Sequence, residues 1–319
     1  MLEDKTDLGW DNVALGLTFI AFDAGLSFVF GLGIGTSLLS AALRCVVQLT
    51  VVATILQKVF ATESFWAVAG ISVLLNLLGT FETVVVKSNR RYRYMFPAVL
   101  FAMLFSTIPV SALGAHFAMG IRPFWRPEQY IPLVGMLCGS TVSAIAIAVS
   151  HVLKELDVNK DRTETYLVYG ATRIEACLPV ARDALRVALT PSVNRMSVLG
   201  IIAIPGMMTG ALLGGSSVQQ AARLQMVIVF MISSSEALSC VITTFLALLA
   251  MVDREHRLRP DHVDTRLHVV WRARDRVGWA VVGGVKDAGM AVGRSLWPFG
   301  RRKQGTADGV GERQRLLPG

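Results

Sequence analysis

Hydrophobic positions in this chain come in long unbroken runs separated by short polar intervals. Seven stretches can be cut out: residues 13–35, 37–59, 64–86, 95–117, 131–151, 196–213 and 225–252. Each is long enough to cross a hydrocarbon core of ~30 Å as a helix. A soluble helical bundle alternates apolar and polar faces with a period of ~3.6 residues. Here residues 98–114 are apolar on nearly every side. The pattern predicts an all-α polytopic membrane protein of about seven transmembrane helices. Residues 1–12 form a short acidic lead, 13–252 the transmembrane domain with a long polar loop at 152–195, and 253–319 a basic tail.

Composition agrees, with 53% apolar residues in 319 and a mean hydropathy of +0.53. The first span lacks the basic lead and small-residue cleavage site of a secretory signal, so it is expected to stay in place. Cys45, Cys138, Cys177 and Cys240 are scattered without C-x-x-C spacing and read as small packing residues.

Charge sets the orientation, because Lys and Arg in short loops mark the cytoplasmic side. Lys87, Arg90, Arg91 and Arg93 follow the third span, and the tail carries fourteen Lys or Arg against eight Asp or Glu. Threading seven helices puts these and the 152–195 loop in the cytosol and the N-terminus outside. The net charge of +8 is then topology charge, helped by attraction to anionic lipid. Basic residues interleaved with exposed aromatics are lacking, so a nucleic-acid role is not expected. In the tail, residues 253–279 have helical potential, the stretch from Gly300 is polar and Gly-rich, and residues 312–317 fit an acidic dileucine pattern. The host membrane, plasma or vacuolar, is not encoded in these residues.

Chemistry must come from polar residues placed among the spans or in the long loop. The G-x-x-x-x-G-K-[ST] loop that cradles phosphates is lacking, so ATP, if used, binds another chain. The loop contains Tyr169-Gly170-Ala171-Thr172 and then Arg182, Asp183 and Arg186 between Pro179 and Pro191. Arg182 and Arg186 share a helix face. A short helix over 180–190 suits either docking on a soluble partner or packing under its own bundle. Gly206, Gly210 and Gly214 form a small-residue stripe, echoed by Gly135, Gly139 and Ser143, for close helix packing or a dimer contact. Pro205 kinks the chain just before the first stripe. Met207 and Met208 offer thioethers to a metal or simply fill space. Intramembrane polar residues are expensive and so raise functional questions. Asp23, Arg44, Gln48, Ser234 and Glu236 are such residues. Asp23 and Arg44 either neutralise each other in the first hairpin or, with Glu236, line a path for a cation or small polar solute. The five histidines form no H-E-x-x-H or similar hydrolytic site, and an enzyme is not expected.

Three segments carry a resemblance: Gly170-Ala-Thr, Arg182-Asp-Ala-Leu-Arg-Val-Ala-Leu-Thr-Pro and Ile204-Pro-Gly-Met-Met-Thr-Gly, with Arg44-x-x-x-Gln48 before them. In their order and spacing the chain resembles the FetB-like, plant aluminium-sensitivity-like family of ABC transporter permeases. The resemblance implies a permease subunit, dimeric, paired with a separate ABC-type ATPase that carries the ATP. It implies export of a metal ion such as iron or, in plant relatives, a role tied to aluminium tolerance and a nucleotide sugar. It also implies that residues 169–194 contact the ATPase. Ser235-Glu236 departs from the family pattern, so no family role passes to Glu236. Two other readings accompany it: a motor-independent cation carrier or channel, and a membrane adaptor acting through the basic tail.

Overall fold

The computed structural model describes residues 9–62, 64–88, 90–92, 94–251 and 263–264. Apart from one short strand pair, its regular structure is helical. The helices are α1 (Trp10–Val29), α2 (Gly35–Thr62), α3 (Phe65–Phe81), α4 (Met95–Leu113), α5 (Pro127–Val158), α6 (Lys160–Val168), α7 (Arg173–Val198), α8 (Gly206–Leu213) and α9 (Val218–Met251). π-helical turns extend α3 over Glu82–Lys87 and α4 over Gly114–Ala118. Strands β1 (Arg91–Tyr92) and β2 (Val263–Asp264) pair antiparallel. Other expectations for the tail and the acidic lead before residue 9 lie outside the described residues.

α5 and α9 are the central pair, packed against each other and against α4 and α7, with α3 and α4 completing the core around α5. Along α5, Leu133, Val134, Leu137, Ile145, Val149, Val152 and Leu153 are almost wholly enclosed. A row of buried polar residues on α3 is satisfied locally. Ser72, Asn76, Thr80 and Thr83 each donate to the carbonyl one turn back, and Thr107 donates to Asn76 Oδ1 at 2.8 Å, tying α3 to α4. The α1–α2 hairpin is peripheral: α1 packs on α2, and α2 touches α3 and α5 lightly.

Among the described residues six helices are long and apolar enough to cross a membrane: α1, α2, α3, α4, α5 and α9. The expected span at 196–213 is not a helix. It comprises the last turn of α7, a tight turn in which Gly200 has φ +84°, and the short α8. Gly200 N–H donates to the Ala203 carbonyl at 3.0 Å, closing that turn. Pro205, as N-cap of α8, cannot donate a backbone hydrogen bond to continue a helix from it.

The chain still passes through the bundle between α5 and α9. At one end Arg90 bonds Asp157 at 2.6 Å and the Leu153 carbonyl at 3.4 Å near the end of α5, while β1 touches α9 and pairs with β2 beyond it. At the other end Arg122, Arg126 and Glu128 face Met207, Gln220 and Leu224 across a cleft of about 540 Å³. α5 and α9 therefore run parallel, and α7, antiparallel to both, carries the chain back between them. Its start lies against Leu248 and its last turn against Glu236. The seventh passage is thus made by a charged helix with a broken end. Arg90, Arg91, the end of α5 and β2 share one end of the bundle.

α7 also corrects the picture of a short helix bracketed by prolines. One helix of 26 residues runs through both Pro179 and Pro191. Each proline removes one backbone hydrogen bond, and packing on α5 and α9 through buried Ala184 and Ala188 holds the helix regardless.

Candidate functional site

Two features stand apart from ordinary packing: an exposed tip between α6 and α7, and a polar seam at mid-bundle where α3, α5, α7 and α9 meet.

The tip is the turn Tyr169–Thr172. Gly170, at φ +88°, occupies the left-handed region that lets the chain reverse there. Thr172 then caps α7 in a complete capping box. Its hydroxyl accepts from Glu175 N–H, and the Glu175 carboxylate accepts from Thr172 N–H at 2.9 Å and from its hydroxyl at 2.8 Å. Those bonds, the backbone one foremost, hold the Glu175 carboxyl below its ordinary value. On this rigid base Val168, Tyr169 and Ile174 are exposed, Tyr169 at 87%. Ala171 is half-buried. Of the other loop residues expected to act with these, Arg182, Asp183, Arg186 and Pro191 are exposed along the side of α7, away from the tip.

The seam is built on one turn of α5. Ser143 accepts from Lys87 Nζ at 2.9 Å, and Ser140 accepts from Arg195 Nη1 at 3.3 Å. The same Nη1 lies 3.5 Å from Glu236 Oε1. Glu236 is only 3% exposed in its side chain whereas Arg195 is 44% exposed, so the pair is open on the α7 side. Thr141 and Ser235 join α5 to α9 beside it at 3.3 Å. Arg44 of α2 binds Glu82, the first residue of the π-helical turn after α3, at 2.5 Å.

The expected path residues are therefore only partly assembled. Arg44 pairs with Glu82 and not with Asp23. Asp23 and Gln48 are exposed on the peripheral hairpin, and Asp23 forms no ion pair among the described residues. Glu236 belongs to the seam, and adjacent Ser234 points outward. Met207 lines the cleft at the opposite end; Met208 is half-buried and does not line it. Lys87, Arg195, Ser140 and Glu82 were not expected there, because charges beside loops read as topology signals.

The glycine stripes are largely free of close packing within the described residues. A Cβ on Gly135, Gly139, Gly206 or Gly210 would meet nothing within 4 Å, and one on Gly214 only carbonyls of its own helix. Among the described residues no neighbouring helix packs closely on them. The close approaches occur instead at Gly79, where a Cβ would lie 2.7 Å from Met103 Cε, and at Gly114, where it would run into Met231. Gly135 and Gly139 leave the α5 surface open beside the seam.

The model of the Uncharacterised protein family (UPF0014) matches residues 10–251. The chain belongs to this family. It is 33% identical over 245 residues to the UPF0014 membrane protein slr1647 of Synechocystis, covering 76% of this chain and 91% of that one. It is 24% identical to the Probable iron export permease protein FetB of Escherichia coli, over 78% of this chain and 94% of that one. It is 25% identical to Protein ALUMINUM SENSITIVE 3 of Arabidopsis thaliana, over 79% and 90%. No solved structure matches. The matched region takes in the six apolar helices, α7 and both candidate sites. This UPF0014 protein is an integral, multi-pass membrane protein.

Proposed function

We propose that this UPF0014 protein is the permease subunit of an ABC-type transporter that works as a homodimer and exports a metal ion, powered by ATP on a separate ATPase. The single observation that carries this reading is the α6–α7 tip. A capped turn with Val168, Tyr169 and Ile174 exposed, at the end where Arg90, Arg91 and β2 lie, suits docking into a soluble motor. α7 runs from that tip into the seam, so force received at Tyr169 would reach Arg195 along one helix. The relative whose name includes iron export supports the direction and the cargo class. The basic residues at the tip end support a cytosolic tip under the positive-inside rule. The open small-residue surface of α5 is where a second copy would approach.

The test is co-purification of the tagged full chain from mild detergent, with Tyr169→Asp and Ile174→Asp as variants. An ABC ATPase that co-elutes with the native chain and is lost with the variants supports the reading. An equal yield of ATPase with all three moves docking away from the tip. Its absence from every sample favours a motor-independent carrier.

A further inference from the structure

The seam carries more positive charge than its own carboxylates answer. Arg44, Lys87 and Arg195 stand against Glu82 and Glu236. Arg44 is matched by Glu82. Among the described residues no carboxylate is within ion-pair reach of Lys87, and Glu236 is the one that reaches Arg195. Ser140 and Ser143 lie three residues apart on α5, neighbours on a helix surface at about 5–6 Å. Lys87 and Arg195 therefore converge on one turn from two different elements.

Neither cation is used up there. Arg195 directs one nitrogen, Nη1, at both Ser140 and Glu236, with contacts of 3.3 and 3.5 Å, long for charge-assisted bonds. Among the described residues its other donors have no partner, leaving them for a planar acceptor, and Lys87 spends one donor on Ser143. Both side chains are exposed, and Gly139 between them and the bundle end leaves the α5 surface bare. A half-exposed guanidinium braced from behind by a buried carboxylate, with an ammonium one turn along, matches a group with several anionic oxygens.

We propose that Lys87 and Arg195, seated on Ser143 and Ser140, form a binding site for an oxyanion, a phosphate or carboxylate group carried by the transported solute. Glu236 is the internal acceptor that holds Arg195 and competes with the oxyanion for it. Taking the oxyanion as cargo rests on the permease reading above, and it means that a metal passes here as an anionic chelate. A bare divalent cation would meet two like charges at this turn.

The experiment is calorimetric titration of the purified full chain, in nanodiscs of neutral phosphatidylcholine, with inorganic phosphate and separately with citrate. Saturable binding of either is expected, and the two arms show which oxyanion is preferred. Lys87→Gln, at an exposed position that leaves packing alone, should weaken binding about tenfold or more. Arg195→Lys, which keeps the charge and loses the planar fork, should also weaken it. Glu236→Gln should tighten binding, because the guanidinium is released from its internal acceptor; a merely structural role would not give that sign. The proposal is overturned by absence of saturable binding in both arms, by unchanged affinity in Lys87→Gln, or by weaker binding in Glu236→Gln. It is overturned equally if Mn²⁺ binds the native chain and Glu236→Gln abolishes that. ATPase co-elution is read separately: its failure removes the permease reading and leaves the anion measurement standing.

Discussion

Removing Arg195 and removing Glu236 should have unequal consequences, although the two form one ion pair. Glu236 is almost fully enclosed on α9, and its neighbours Ser235 and Ser239 turn their hydroxyls elsewhere, to Thr141 and to the Glu236 carbonyl. Arg195→Met strands a carboxylate with no counter-charge, and breaking a buried pair from one side costs about 3–5 kcal/mol. Arg195 is half open, so the native attraction is partly screened, and we expect a cost below that range, about 2–3 kcal/mol. Glu236→Gln removes the buried charge and leaves Arg195 half-solvated beside Ser140, at a cost of about 1 kcal/mol. The double variant should then lie close to Glu236→Gln alone, giving a coupling of about 2–3 kcal/mol in the cycle. Unfolding in detergent, followed by tryptophan fluorescence, measures all four proteins. Equal losses from the two single variants, with a double variant equal to their sum, would refute this account of the seam.

Gly114→Ala and Gly79→Ala should each cost about 1–3 kcal/mol through overpacking against Met231 and Met103, measured by the same unfolding assay. Gly135→Ala and Gly139→Ala should leave the subunit unchanged or stabilise it by about 0.5–1 kcal/mol, since their Cβ atoms meet nothing. Asn76→Ala should lose about 1–2 kcal/mol with the Thr107 and Ser72 bonds, again by unfolding. At the tip, the carboxyl of Glu175 is held low by Thr172, so the capping box is intact above the ordinary glutamate range. It is lost as pH falls through the lowered value; limited proteolysis at Tyr169 should accelerate there, and at all pH values in Thr172→Ala.

Six of the crossings were legible because length and uniform hydrophobicity suffice to announce a helix that faces lipid. The α7 passage was only half legible. It runs well past both expected ends at 180 and 190, and Arg173, Arg182, Asp183, Arg186 and Arg195 give it the composition of a loop. Hydropathy reports how well a segment tolerates lipid. α7 is held by α5 and α9 through small residues such as Ala184 and Ala188, so it need not tolerate lipid all round. The packing role of the glycine stripes was illegible for a related reason. A spacing of four residues shows that small residues share a face, but not whether another helix of the same chain occupies it. At Gly139 none does; at Gly79 and Gly114, which belong to no stripe, a methionine does.

The seam shows why intramembrane charge is hard to pair from sequence. Arg44 and Asp23 lie on consecutive spans, and neutralising them against each other is the economical guess. The structure instead joins Arg44 to Glu82 and Glu236 to Arg195, partners separated by long stretches of chain. Both unexpected partners sit where a helix loses its regular geometry. Glu82 opens the π-helical turn after α3, and Arg195 occupies the last turn of α7 before the Gly200 reversal. At such ends an apolar run stops by definition, so a charged residue reads as the beginning of a loop. Packed against α5, however, those ends still lie within the bundle, and Lys87 and Arg195 both turn inward to its serines. Lys87 and Arg195 therefore share two properties: a break in helix geometry and a polar acceptor on the central helix. A hydropathy profile registers neither property, and only their coincidence on one turn of α5 marks the place as a site.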